Sequence, residues 1–494
     1  MLKACGWRAS VTKDSKVYHA GTLTYTKGAL AILCIWLLWG DFCFTLMETI
    51  VPSIMPLKFK AAGAPNAIMG LFITSIPGII NVVCNPVISV KSDRCRSRWG
   101  RRIPFIVATM PFLLICLAGL GFSDRLGFWM HGHFSAILGR FSPTAVAIFL
   151  MGTMMTLFSF FNTFVNSVFW YLFNDVVPEE FLARFMSWFR MVSMGAGALY
   201  NLFIFKHAGT HSAEIIAGAG VLYFVGFALM CLNVKEGRYP PPEEYLEGKG
   251  GAIAAIKTYG RECLGISHYW YLFIANVGIV IAYSASMFSV FLSQSLGLTL
   301  EMIGRLAFAS MVSGAVAIPI SGWLADRWHP IRIVAAGVVM QVLITPLYLT
   351  WLFWQPSPQV VFYVVLAMNV CLAAPIMALI SVIDPVLAMR IYPREQYGQF
   401  CSANSMIRSV GGILAGVLVG LYLDVIKRHW GADVAYRCLP LWNLSAYCLT
   451  LYAIFKLYGS WKRHGGDDAY VPPIPFPMEA LGTTVASKIP QPVA

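Results

Sequence analysis

The sequence predicts an all-α polytopic membrane protein with twelve transmembrane helices in two six-helix bundles. Composition is the first reason. The chain is 58% hydrophobic and only 12% charged over 494 residues, whereas a soluble globular domain is nearer a quarter charged. The second reason is repetition of apolar runs longer than eighteen residues, each able to cross a bilayer as a helix. The third is an internal echo. The polar segment Val234 to His268 divides the runs six and six, and corresponding loops in the two halves resemble each other.

In order, the first half has runs at Gly28 to Val51, Ala67 to Val90, Ile103 to Phe122, Thr144 to Phe173, Phe185 to Phe205 and Ala213 to Asn233. The second half has runs at Tyr269 to Ser293, Met302 to Leu324, Ile333 to Trp354, Val360 to Ile383, Phe400 to Leu423 and Leu439 to Gly459. The expected organisation is therefore an N-terminal segment 1–27, a first bundle 28–233, a central loop 234–268, a second bundle 269–460 and a proline-rich tail 461–494. The central loop contains EGRYPPPEEYLEGKGG, whose prolines and glycines oppose a continuous helix. The echo lies in NDVVPEEFLARFMSW against MRIYPREQYGQFCSA, and in SDRCRSRWGRRIP against ADRWHPIRI. A duplicated six-helix unit is the layout of many secondary transporters.

A net charge of +13 would suggest nucleic acid in a soluble chain. Here the positive-inside rule accounts for it. Loops that this layout puts in the cytoplasm hold 24 Lys and Arg, and those outside hold 8. The bias places both termini in the cytoplasm, and the plasma membrane, or the inner membrane in a bacterium, is the expected location. No cleaved signal peptide precedes the first run. The twelve cysteines are scattered without a CxxC pair, so no disulfide framework, metal site or cofactor is indicated. HExxH, GxSxG and GxxxxGK[ST] motifs are absent, which argues against an enzyme.

Ionisable and amide side chains inside the runs point to function, because polar groups in lipid must pair or line water. Asp41 lies thirteen residues into the first helix, roughly 20 Å along it. Glu48 follows two turns later on nearly the same face. Arg190 lies in the cytoplasmic half of the fifth helix, and Arg408 is similarly placed in the eleventh. An Asp41–Arg190 pair is the economical arrangement; structural ion pairs without a ligand are the alternative. Asn81 and Asn85 in the second helix share a face, as do Asn162 and Asn166 in the fourth. Trp170 follows one turn later, either stacking on a solute or marking the interfacial belt. Aromatic faces beside carboxylate, amide and guanidinium groups suit a sugar. Gly412, Gly416 and Gly420 form a small-residue stripe that lets helices approach closely.

The loop SDRCRSRWGRRIPFI, Ser92 onward, resembles the loop between helices 2 and 3 of the major facilitator superfamily. It looks especially like the sucrose/proton symporters and the related glycoside–pentoside–hexuronide:cation symporters. WGDFCF around Asp41 is similar to their first-helix motif, whose aspartate binds sugar. FNTFVNSVFW places Asn166 on an acidic position and Trp170 on a stacking position. SWFRM places Arg190 on an arginine that contacts sugar. Arg408 lies near a helix 11 lysine linked to the cation site. The resemblance implies substrate contacts from Asp41, Asn166, Trp170 and Arg190, and coupling roles among Asp41, Glu48, Asn81, Asn85 and Arg408.

The departures are informative. Sodium-coupled members carry aspartates at the Asn81 and Asn85 positions, the second followed by proline as Asn85 is by Pro86. The helix 4 acid is Asn166. Neutral amides are poor sodium donors and cannot carry a proton. The expectation is therefore proton coupling through Asp41 or Glu48, with sodium disfavoured. The loop implies a conformational latch of Asp93, Arg94, Gly100, Arg101 and Arg102, weakly echoed by Asp326 and Arg327. The arginines would pair with acids such as Asp175. The expected function is movement of a disaccharide-class sugar, such as sucrose, maltose or melibiose, by alternating access, with a proton as co-substrate, the lipid bilayer as surroundings and no nucleic acid. A uniporter, or a carrier of a nucleoside or drug, stays open.

Overall fold

The structure, a computed structural model, describes residues 17–237, 263–393 and 397–473. The expectations for residues 1–16, most of the central loop and the tail beyond 473 lie outside the described residues. Contacts group the chain into two units. One is Met1–Ala64 with Ile79–Glu244, the other Pro65–Gly78 with Tyr245–Ala494.

The first unit opens with an antiparallel hairpin, β1 (Tyr18–Ala20) and β2 (Leu23–Tyr25). Thr26 then caps α1 (Lys27–Ala61) by accepting the Ala29 N–H, which satisfies one of the helix's orphan donors. α1 runs ten residues past the expected Val51, with Pro52 and Pro56 inside it. α2 covers 66–94 and includes a π turn at Leu71–Ser75; its residues from 79 belong to this unit. α3 (Ile103–Gly121) begins with proline near its first turn, as does α4 (Pro143–Val176), where the missing N–H costs nothing. α5 (Glu179–Leu199) continues into a π turn, and α6 (Ser212–Asn233) completes the set.

The second unit holds α7 (Ser267–Ser295), α8 (Leu300–Arg327), α9 (Pro330–Leu352), α10 (Pro358–Ile391), α11 (Tyr397–Trp430) and α12 (Leu439–Arg463). Among the described residues, eleven helices are long and apolar enough to cross a membrane. The twelfth is α5, which carries Glu179, Glu180, Arg184 and Arg190. Large apolar side chains face outward along these helices, with Ile115, Phe149 and Leu232 exposed. That suits a lipid solvent and not water.

Packing inside the units bears on the duplication. In the first, α1 packs on α5 and α6, and α3 packs on α4 and α6. In the second, α7 packs on α11 and α12, and α9 packs on α10 and α12. Each pair recurs six helices later. Aromatic rings fill the first unit's core: Phe169 contacts Phe44, Phe173 and Phe227, and Phe173 contacts Phe185 and Phe189. In the second, Tyr269, Phe273, Ile331, Ile383, Phe400 and Ile454 form the buried cluster.

The glycine stripe of α11 packs as expected. A Cβ on Gly70 of α2 would lie 1.8 Å from the Gly416 carbonyl oxygen, and one on Gly420 would lie 2.4 Å from that of Asn66. The contact is therefore backbone on backbone, over residues 65–78, which group with the second unit. Asp424 fixes the end of this contact. Its carboxylate accepts the Asn66 and Ala67 N–H groups at 3.0 and 2.9 Å and the Asn66 amide at 2.8 Å. A carboxylate at a helix N-terminus meets both orphan donors and the positive end of the dipole.

Candidate functional site

In the first unit, α1 presents Asp41, Thr45 and Glu48 along one face, at spacings of four and three. Asp41 is 1% exposed. Its carboxylate accepts hydrogen bonds from Ser193 of α5 at 2.8 Å and Thr45 at 3.2 Å. Glu48 accepts one from Asn162 of α4, and the Asn162 carbonyl oxygen is buried without a partner. On α2, Asn85 donates to Asn81 and accepts from Ser167 of α4. The sequence-predicted acids and amides therefore lie on α1, α2 and α4, tied by hydroxyl and amide bonds.

The expected Asp41–Arg190 ion pair does not form among the described residues. The Ser193 hydroxyl, one turn beyond Arg190 on α5, reaches Asp41 instead, and Arg190 lies exposed on the helix. A short hydroxyl fits against a fully buried carboxylate where a guanidinium would need a wider gap. Trp170 is held edge-on by Phe173 and Phe189, at ring-centroid distances of 5.9 and 5.0 Å. It keeps 36% exposure, so one side of the indole remains free of core. Asn166, one turn before it, is half-buried.

Arg408 has a partner that sequence reasoning missed. Asp384 of α10 lies 3.9 Å from it, and Asn276 of α7 is within hydrogen-bonding reach of the same carboxylate. Asn276 also donates to Asn404 at 3.3 Å. Asp384, Asn404 and Arg408 line a cavity of about 520 Å³ in the second unit, with Tyr397, Ser405 and Thr74. The expected tenth helix ended at Ile383, just short of Asp384 and Pro385. Proline is tolerated within membrane helices whose neighbours answer the freed backbone, and α10 continues to Ile391. An acid followed by proline inside an apolar run was the available signal.

The arginine-rich loop is tightly built. Arg101 pairs with Asp175 of α4, and Arg102 reaches the same carboxylate at 3.0 Å. Arg102 also donates to Ser92 and lies 5.0 Å over the Tyr171 ring. Glu236, just past α6, accepts the Arg101, Arg102 and Ile103 N–H groups at 2.8, 2.9 and 2.6 Å. It thereby caps the start of α3. Gly100 has φ +105°, and a Cβ there would lie 2.4 Å from the Glu236 carboxyl carbon, so glycine is required twice over. Glu236 was hidden in sequence because it lies in the polar central segment. The Asp93, Arg94 and Asp326 side chains lie outside the described residues. Arg327 stacks over Trp323 at 4.1 Å.

The description Major Facilitator Superfamily matches residues 37–416. Among curated relatives, a sucrose transport protein of Oryza sativa subsp. indica, SUT4, is 32% identical over 156 residues, which is 30% of this chain and 25% of the relative. An uncharacterized symporter of Synechocystis sp. is 39% identical over 98 residues, 19% of this chain and 16% of the relative. The chain thus spans a quarter or less of these two relatives' length. Among solved structures, a variant of the nucleoside transporter NupG superposes with a TM-score of 0.64 at 12% identity, covering 86% of this chain and all of that one. At that identity the likeness shows the fold alone.

Proposed function

This chain belongs to the Major Facilitator Superfamily, and we propose that it moves a disaccharide-class sugar across its membrane by alternating access, with a proton as co-substrate. The coarser statement stands without the proposal: it is an integral multi-pass membrane transporter of small-molecule substrates. The sugar reading draws on the exposed Arg190 and Trp170 near Asn166 in the first unit and on the similarity to sucrose transport proteins. Asp41, Asn166, Trp170 and Arg190 are the proposed sugar contacts.

One observation carries the coupling. Asp41 is buried among hydroxyls and faces no cation within ion-pair distance among the described residues. A serine or threonine hydroxyl donates to a carboxylate and accepts from a carboxylic acid, so the same pocket serves both protonation states. Glu48, held by an amide, has the same property. Asn81 and Asn85 bond to each other and to Ser167, and they offer no anionic oxygen for sodium. Asp384 with Arg408 is a further protonatable pair on the second unit's side of the coupling. The latch proposal keeps Gly100, Arg101 and Arg102, anchored by Asp175 and Glu236, with Asp93, Arg94, Asp326 and Arg327 as its other members. Cytoplasmic termini and a plasma or bacterial inner membrane complete the proposal.

Uptake of labelled mono- and disaccharides into proteoliposomes tests it. Accumulation above equilibrium under an inward proton gradient is expected. Accumulation driven by sodium would refute the reading of Asn81 and Asn85. Equilibration without accumulation would make the protein a uniporter, and no sugar transport by folded protein would remove the sugar.

A further inference from the structure

Along one side of the second unit, α8, α9 and α10 enclose a groove of about 530 Å³, within the size range of small-molecule sites. α9 lines it with Arg332, Ala336 and Met340, which stack on one helix face because they lie four apart. The line runs roughly 12 Å at 1.5 Å per residue, from a cation in the helix's first turn to an apolar side chain two turns on. The buried Ile333 and the half-buried Leu379 of α10 close the inner side. A Cβ on Gly337 would lie 3.0 Å from Ile380 Cγ1, so α9 and α10 approach closely beneath. The outer rim stays open, with Trp328, Ala336 and Met340 exposed. Beyond Met340, the exposed Leu343 and Leu347 carry the apolar surface onward along α9. The groove is therefore continuous with the lipid-facing side of that helix.

The polar end of the groove is cationic. Arg332 pairs with Asp467, and both side chains are nearly half exposed. Tyr458 engages the same guanidinium. A guanidinium has five N–H donors, so these two partners do not exhaust it. Around the neighbouring His329, Arg390 and Arg332 act against Asp467, two positive charges to one negative. Arg327 adds a further cation at the end of α8. Trp328 stands at this end too, where an interfacial indole is expected. Cations and an indole at one end of an aliphatic groove fit one ligand class, an apolar chain with an anionic head. A small anion would leave the apolar length uncovered.

We propose that this groove binds an anionic phospholipid, with its phosphate on Arg332, its glycerol region beside Trp328 and an acyl chain along Ala336 and Met340. With cytoplasmic termini, the turn between α8 and α9 lies at the cytoplasmic leaflet, which carries anionic lipid. Asp467 then competes with the phosphate for Arg332, so the lipid and the segment after α12 share one cation. The site belongs to the second unit alone and does not depend on which solute is carried.

Native mass spectrometry tests the proposal, with full-length protein released from detergent micelles holding equal amounts of phosphatidylglycerol and phosphatidylcholine. Wild type should retain phosphatidylglycerol about fivefold over phosphatidylcholine, the worth of one arginine toward an anionic lipid. Arg332→Gln should bring the two lipids to parity. Asp467→Asn should raise phosphatidylglycerol retention by releasing the guanidinium; unchanged or lower retention would overturn the sharing of Arg332. Ala336→Trp fills the groove at an exposed position and leaves every charge in place. It should cut phosphatidylglycerol retention severalfold, and it carries the test if the arginine variant fails to fold. Equal retention of the two lipids by wild type, or a preference that survives Arg332→Gln and Ala336→Trp, overturns the site. Displacement of the bound lipid by inorganic phosphate would make this a free-anion site and overturn the lipid.

Discussion

The two units answer their membrane-embedded acids differently. In the first, Asp41 and Glu48 are met by two hydroxyls and an amide. In the second, Asp384 is met by Arg408 at 3.9 Å. A hydroxyl partner tolerates either protonation state, because it can donate or accept. An arginine has donors only and stays charged, so it favours one state of its acid. The first unit's acids thus have partners that suit either protonation state, the property that the proposed coupling through Asp41 or Glu48 needs.

The largest expected effect breaks the first half of that comparison. Asp41→Asn should lower proton-driven accumulation by about a hundredfold, in line with losing a group used in one essential step. Counterflow exchange measured beside uphill uptake separates lost coupling from lost binding. If Asp41→Asn and Glu48→Gln each kept full uphill uptake, the coupling assignment would be wrong.

The next tests the backbone contact that ties residues 65–78 to α11. Gly416→Leu places a side chain where Ser75 Oγ would be 2.7 Å and Thr74 Cβ 2.8 Å from the first added carbon. Overpacking of this kind costs about 1–3 kcal/mol, visible as a lowered Tm of purified protein. Gly412→Ala, whose nearest neighbour is a Val280 methyl at 3.1 Å, should be milder and serves as the control.

A double-mutant cycle sharpens the second half of the comparison. Arg408→Ala leaves Asp384 facing the cavity without its cation. Because the arginine side chain is 42% exposed, the loss should be about 1 kcal/mol and not the several expected of a dry pair. Asp384→Asn in the same chain should restore most of the Tm. Additive losses would show that the pair is not coupled.

Gly100→Ala should cost about 1 kcal/mol by straining a positive φ and displacing Glu236 from the start of α3. Glu236→Gln, which keeps the shape, should cost less; hydrogen exchange at the first turn of α3 reads both. The smallest effect lies outside the membrane spans. Burial pushes the Asp124 carboxyl up, but Lys58 at 2.9 Å outweighs it and leaves the group below its usual range. A depressed carboxyl contributes stability that is present above its unfolded value and lost as pH falls through the folded one. Asp124→Asn should therefore flatten the acid limb of Tm against pH, by under about 0.5 kcal/mol because the carboxylate is 46% exposed.

Much of this molecule was legible in one dimension. Composition, apolar run length and the six-and-six echo were enough for the helices, because lipid forbids an unsatisfied backbone and leaves helix as the chain's answer. Spacing alone placed Asn81 with Asn85, and the glycines of α11 on one face, since residues four apart stack. The Asp175 partner of the loop arginines was also readable, from the end of the fourth run. What spacing could not decide was which side chain crosses from one helix to the next. Ser193 takes Asp41 in place of Arg190, Asp384 joins Arg408 from beyond a proline, and Glu236 reaches back to cap α3. The turns where α7, α9 and α10 leave α-geometry, at Ala285–Phe288, Thr345–Leu352 and Asn369–Ala373, were invisible for the same reason. Such choices depend on interhelical gaps and on which buried groups lack partners, and these exist only once the helices have packed.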